Sequence, residues 1–365
     1  MKATLILVMF GLLVLSVVPG VLAVQVGTGI TPIITTEQFE PMVFMCDHRI
    51  VLDDNVEPGR ISDGGQELIE RINNYAFEGE QISWKILVFD KNGIEKVNDV
   101  HVTIGSSQGE GNDLEANCHL DDIISSNESI DSSCNARVLE EQLDYIPENT
   151  GAYYTCIFTV ETPESMYGEF WVTVEATDID GLMGTMAENE FWFFNPVVAL
   201  SIDGDMTFDN VRPGVQAYSS TMTVGNDADQ GSGVMMDMFI SGTDFYDSAS
   251  SGAKCPTTNQ LALTNFRYFV SSGAYSTSQD LGIGRGARAK DAEGYVGIGY
   301  GNGFNNPNPF YDGYEILQAA HIGPYYAANV LAPGAEMAIT FKLSMPEPCN
   351  GNFDTGSIFF WGEAI

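Results

Sequence analysis

Two short acidic stretches carry the residue types of a cation site. Asp178-Ile-Asp180-Gly181 and Asp227-Ala-Asp229-Gln-Gly231 each set hard carboxylate oxygens on a glycine bend, as calcium loops do. Neither is followed by the distal glutamate of an EF-hand, and an ordinary Asp-Gly turn with solvated carboxylates has the same letters. Calcium at Asp178, Asp180, Asp227 and Asp229 is therefore one expectation and a plain turn the other. Softer ligands occur at Cys46-Asp47-His48 and Cys118-His119, without the CxxC or HxxxH spacing of a metal centre. The four histidines are scattered singly, and no Ser/His/Asp or paired-carboxylate signature accompanies them. Gly282-Ile-Gly284-Arg-Gly286 opens no helix with dinucleotide- or phosphate-binding spacing and reads as a loop. No enzyme is expected, and no cofactor beyond calcium.

Six cysteines, Cys46, Cys118, Cys134, Cys156, Cys255 and Cys349, form an even set. In an oxidising compartment their default is three disulfides. If the two halves of the chain fold separately, Cys255 pairs with Cys349 and the first four divide among three connectivities. The preferred one joins Cys118 to Cys134, closing a loop, and Cys46 to Cys156.

Export is read from the first 23 residues. Lys2 precedes an apolar run over residues 5–18, then Pro19-Gly20 and the small-residue end Val21-Leu22-Ala23, the pattern of a cleaved signal peptide. The run is short for a membrane span and ends in a helix breaker, and no cysteine follows it for lipid attachment. The expectation is a secreted chain without membrane insertion after cleavage. A formal charge of −35 argues against nucleic acid or an anionic membrane as partner, since both would repel it. It suits solubility in salt or a surface that gathers cations.

The elements that must hold these residues are strands. Residues 151–196 read as three in succession. Tyr154, Cys156, Phe158 and Val160 recur every second position, as do Phe170, Val172, Val174 and Ala176, and an aromatic run Phe191-Trp192-Phe193-Phe194 follows. Ahead of them Ile82, Trp84, Ile86 and Val88 alternate, Asn92-Gly93 turns, and Val100, Val102 and Ile104 continue, with His101 on the polar, solvated side. Residues 105–150 break the pattern with Ser, Asn, Asp and Gly and read as an insertion loop, with a glycosylation acceptor at Asn127-Glu128-Ser129. Residues 66–75 fit a short helix or a first strand equally. Beyond Pro196, Val198, Leu200 and Ile202 alternate, and Tyr218, Ser220, Met222 and Val224 are read as one face. Val234, Met236, Met238 and Ile240 form another run, and Met337, Ile339, Phe341 and Leu343 a further one. Gly294-Tyr-Val-Gly297-Ile-Gly299-Tyr-Gly301 leaves a bare glycine face that admits a backbone or a flat ring, and so a sugar, a partner chain or a loosely packed edge. The fold class read from this is all-β. A signal peptide (1–23) and an extended N-terminal segment (24–71) precede two consecutive β-sandwich domains, 72–196 with the 105–150 insertion, and 197–365.

Thr150-Gly-Ala-Tyr-Tyr154 with Cys156 resembles the tyrosine-x-cysteine end of an immunoglobulin-type strand, with Thr150 where that family has an acidic residue. Residues 168–181 are similar to the closing hairpin of PKD-like and other bacterial and archaeal Ig-like repeats. The two alignments place Cys156 on different strands, so what the resemblance implies is an Ig-like sandwich over residues 72–196 and no binding residues. The order Asn-Val-x-Pro-Gly, strand, Val-x-Asn, strand at residues 210–240, with the closing Gly-Ser-Ile-Phe-Phe-Trp-Gly-Glu-Ala, resembles the TasA and camelysin fibre proteins over residues 197–365. That resemblance implies extracellular filaments or matrix. Some members carry a metallopeptidase label, but this chain lacks HExxH.

Three function classes follow. The leading one is a secreted structural or interaction protein of a prokaryotic, archaeal cell surface: a subunit of a surface layer, filament or matrix, self-associating or meeting other surface proteins. Residues 24–44, poor in charge until Glu37, are expected to add as a strand to an edge of the next subunit. The alternative is a glycan- or ligand-binding module using Tyr311, Tyr314, Tyr325 and Tyr326. An enzyme is the third.

Overall fold

The alternation seen in the sequence becomes strands almost everywhere it occurs. In the computed structural model the described residues are 37–53, 67–68, 71–107, 114–125, 130–134, 147–186, 190–280, 289–301, 314–323 and 325–365, apart from the side chains of Asp47 and His48. Among them helix is confined to single turns, and the fold is all-β. The expected signal peptide (1–23), residues 24–36, the Asn127 sequon, the 282–286 glycines and Tyr311 lie outside the described residues.

The first set of strands is β1 (Met42–Leu52), β2 (Tyr75–Ala76), β3 (Gln81–Phe89), β4 (Val97–Gly105), β5 (Leu114–Ile123), β6 (Gly151–Thr159), β7 (Gly168–Asp178), β8 (Met183–Thr185) and β9 (Glu190–Phe194). Their pairing order is β1-β3-β6-β5-β4-β7-β9-β2, with β8 on β7. β5 belongs to both layers: Leu114 to Asn117 pair with β4, and Cys118 to Ile123 pair with β6. The inward residues of both layers meet in one core, where Trp84 of β3 stands edge-on to Trp192 of β9 with ring centroids 5.8 Å apart. Apolar side chains on every second residue produce such a two-layer stack, since one sheet face alone cannot escape water.

Three expectations change here. Residues 105–150 are not a plain insertion loop, because they contain β5 at the seam of the layers. The extended N-terminal segment is partly sheet, since β1 pairs along β3 from Met42↔Phe89 to Leu52↔Gln81. Of residues 66–75, Glu67 makes an isolated bridge to Leu52, residues 71–74 are irregular, and Tyr75 opens β2, which runs parallel to β9, so neither a helix nor a strand spans the described part of the stretch.

The disulfide preference is overturned. Cys46 bonds to Cys134 and Cys118 to Cys156, while Cys255–Cys349 forms as expected. Cys118 and Cys156 sit directly opposite on β5 and β6, so that bridge fastens neighbouring strands and does not cross between layers. Cys46 faces the outer side of β1, where Phe44, Leu87, Phe89, Ile124, Cys134 and Tyr153 make a second small core. Lys85 reinforces that cap through a 2.5 Å ion pair with Asp131, which holds the Asp131 carboxyl well below the usual carboxylate range.

The second set begins with β10 (Leu200–Asp203), β11 (Gln216–Asn226) and β12 (Met236–Gly242). One layer runs β10, β11, Glu336–Ser344, Phe266–Ser272. The facing layer has β12 between Ile358–Ala364 and the short strands Tyr314–Glu315 and Val330–Leu331. Met236, Met238 and Ile240 pack against Val224, Ile339, Phe341 and Tyr268. The expected single face of β11 is broken. A bulge between Tyr218 and Thr221 slips the register, which turns Tyr218 outward (45% exposed) while Met222 and Val224 face the core.

Residues of both sets close a third small cluster, Tyr75, Phe193, Ala228 and Val234, and the Tyr75 hydroxyl donates to the Ile365 carbonyl oxygen at 2.7 Å. Phe39–Ile365 accordingly forms one compact unit.

Candidate functional site

The four aspartates nominated for calcium do not come together. Asp178 closes β7, where its Oδ1 accepts from the N–H groups of Asp180 (2.9 Å) and Leu182 (2.7 Å), and Asp180 pairs with Lys96 at 3.2 Å. Asp229 meets the opposite end of β7, accepting from the Tyr167 hydroxyl and the Val197 N–H, both at 2.9 Å. An 11-residue strand separates these ends by about 33 Å at roughly 3.3 Å per residue. The backbone N–H of Asp227 donates to Ala199 O. A hard cation wants six to eight oxygens in one shell. Among the described residues no group of three His, Cys, Asp or Glu side chains is placed to hold a metal.

Other nominated residues turn out to serve the fold. His101 is not solvated: its ring is 16% exposed between Asp99 and Glu175, each 3.4 Å away, and Glu175 also accepts from Thr103. The bare face at Gly299 does admit a flat ring, and the ring is the chain's own. A Cβ there would lie 2.2 Å from Tyr314. Tyr325 and Tyr326 form a hairpin with His321 and Ile322, and the Tyr326 ring packs edge-on to His321 at 4.8 Å. Tyr314 and Tyr326 thus already contact their own chain.

What the structure leaves open is an edge. β10 pairs with β11 from Leu200↔Asn226 to Asp203↔Thr223, and among the described residues no strand pairs with its other side. By register Ile202 faces the same way as Val224, toward the core. Val224 is fully buried, yet Ile202 is 51% exposed. A core-facing side chain that remains wet marks a place where the layer stops one strand short. Just upstream Val197 and Val198 are also exposed, and Tyr167 joins them through its bond to Asp229, which raises the phenol above its ordinary value. A row of open backbone groups beside apolar side chains is a template for strand addition. Sequence reading found the alternation of Val198, Leu200 and Ile202 but not its position at an edge. The available signals were the shortness of the run and Pro196 before it.

No family model matches the chain, and no curated protein does. Among solved structures it is similar, at 12% identity and TM-score 0.31, to one described as BspA_C_WT, over 87% of this chain and 96% of that one. The Streptococcus agalactiae AgI/II polypeptide BspA C-terminal domain gives 12% and 0.29, over 89% and 97%. A chaperone-tip adhesin complex of CFA/I fimbriae gives 8% and 0.23, over 90% and 92%. Likenesses this slight transfer neither a topology nor a function to this chain.

Proposed function

We propose that the chain is an exported cell-surface interaction protein, a subunit of a layer, filament or matrix, whose copies join by strand addition. Residues 24–36 of one copy, Val-Gln-Val-Gly-Thr-Gly-Ile-Thr-Pro-Ile-Ile-Thr-Thr, lie along β10 of the next and cover Ile202. The observation that carries this reading is the wet, core-facing Ile202 on an edge strand. Two further features support it. Three disulfides suit an oxidising exterior. Residues 24–36 hold no charged side chain in a chain of formal charge −35, so they can approach a like-charged copy with little repulsion. The donor stops short of the 24–44 segment first expected, because Met42, Val43 and Phe44 are already paired in β1. On this reading the chain catalyses no reaction.

Sedimentation of the secreted protein tests it. Removing residues 24–36 is expected to give monomers, and Ile202→Lys is expected to do the same from the acceptor side. A peptide of residues 24–36 should bind the shortened chain and fail to bind it once Ile202 is lysine. Unchanged assembly after the deletion overturns the reading.

A further inference from the structure

The layer that faces β10 also ends on an open edge. Its strand Ile358–Ala364 pairs with β12 from Met236↔Ala364 to Gly242↔Ile358, and among the described residues no strand pairs with its other side. Two bonds fix which way its backbone points: Ile365 N–H donates to Met235 O, and Thr243 N–H to Ser357 O. Bonded pairs in an antiparallel ladder recur at every second residue, so residues 357, 359, 361, 363 and 365 face β12. Ile358, Phe360, Gly362 and Ala364 therefore aim their N–H and C=O groups at the open side. Ile358 and Phe360 pack against the core yet stay half-buried, whereas Ile240, opposite Phe360, is sealed. Ile202 shows the same mismatch on β10. There the carbonyls of Val197 and Ala199 accept from Asp229 and Asp227, which leaves Val198, Leu200 and Ile202 facing outward. The two edges adjoin, since a Cβ on Gly362 would lie 3.4 Å from Leu200 Cδ1.

We infer that residues 24–36 of a neighbouring copy close both edges of this open side, with Ile30 to Thr36 on β10 and Val24-Gln-Val26 on Ile358–Ala364. The second dock presupposes strand addition at β10. Length calls for it. At about 3.3 Å per residue the edge from Val198 to Asp203 spans about 20 Å and the segment about 43 Å, so β10 takes only about half. Gly27-Thr28-Gly29 divides the segment into two apolar parts, and three residues at that rise cover the roughly 10 Å between stacked layers. Val24 and Val26 alternate, so both turn to the core, beside Phe360 and over exposed Gly362. That glycine supplies no cover of its own and admits none, because a Cβ there would run into Met236 Sδ. Pro32 fits a strand paired on one side alone, which can turn its missing N–H outward. Residues 24–36 and 355–362 both lack charged side chains, so the contact brings no like charges together.

The test measures peptide binding to the secreted chain from which residues 24–36 have been removed. Peptide 24–36 is expected to bind about tenfold or more tightly than peptide 30–36, the gain from one or two further hydrogen bonds on a linked strand. Lysine at both Val24 and Val26 of the peptide is expected to remove that gain, a readout that leaves the acceptor untouched. Phe360→Lys in the chain should remove it too while sparing peptide 30–36, and Ile202→Lys should abolish binding of both peptides. A nitroxide at residue 24 of the bound peptide is expected to quench Trp361, read as the quenching lost in Trp361→Phe. Equal affinity of the two peptides, or no effect of the lysines at 24 and 26, overturns the second dock and leaves strand addition at β10 standing. If neither peptide binds, strand addition itself fails. Binding of peptide 30–36 that Phe360→Lys abolishes and Ile202→Lys spares overturns the assignment of the two halves.

Discussion

Asp237 shows how far a single residue's chemistry departs from its letter. It lies on β12, a strand whose inward neighbours are Met236, Met238 and Ile240, and it is 5% exposed. Burial raises its carboxyl from 3.8 to about 7; the nearby Glu315 and Glu363 add to the rise, and the Asn329 amide, 2.7 Å from Oδ1, opposes it. An acid whose folded pKa is raised takes up a proton on folding. Its contribution to stability is complete below the unfolded pKa, about 4, and is lost as pH rises through about 7. Wild-type protein is therefore expected to melt higher at about pH 5 than at about pH 8, by up to a few kcal/mol at about 1.4 kcal/mol per pH unit. Asp237→Asn should remove this group's share of the slope. Thermal melts of both proteins across the range check it, and an undiminished slope in the variant counts against the assignment. Nothing in the sequence marks Asp237, because a polar residue between apolar ones is what any half-buried strand shows. The calcium aspartates were legible as turns for the same local reason: Asp178 closes its own loop, and sequence cannot say that another pair lies at the far end of a strand.

Strands were the most legible level. Alternation located β3, β4, β6 and β7, since period two reflects one face turned to the core, and the aromatic run Phe191 to Phe194 located β9. β5 was missed. Leu114, Ala116, Cys118 and Leu120 do alternate, but serine, asparagine and aspartate surround them, and most of the strand is exposed. The slip in β11 was missed because a bulge leaves no fixed mark in composition. Cysteine connectivity depends on that same overlooked strand: once β5 lies beside β6, Cys118 faces Cys156, and the loop closure to Cys134 is excluded. Non-reducing peptide maps are expected to recover Cys46–Cys134 and Cys118–Cys156. Replacing both Cys118 and Cys156 by serine is expected to cost about 2–4 kcal/mol in denaturant unfolding. A loss near zero would mean that the ladder holds β5 without the bridge.

For the molecule as a whole, sequence reading gave two sandwiches but not how closely they join. Tyr75, Phe193, Ala228 and Val234 pack together, and Asn73 donates to Gly233 O at 2.7 Å, so the two sets of strands share a small core. Residues that meet across more than 100 positions leave no periodic trace in sequence. Tyr75→Ala removes a fully buried ring and its bond to Ile365, and is expected to cost about 3–5 kcal/mol. It should also split a single calorimetric transition into two, with the halves melting independently. A single, merely lowered transition would locate the coupling elsewhere.

The double membership of β5 has a mechanical consequence. In most stacked sheets the layers touch only through side chains, and a tug at one face can peel it from the other. Here one ribbon of backbone is stitched into both, and a covalent rivet sits at the position where it changes sides. Shear between the faces must then rip peptide ladders or break sulfur from sulfur.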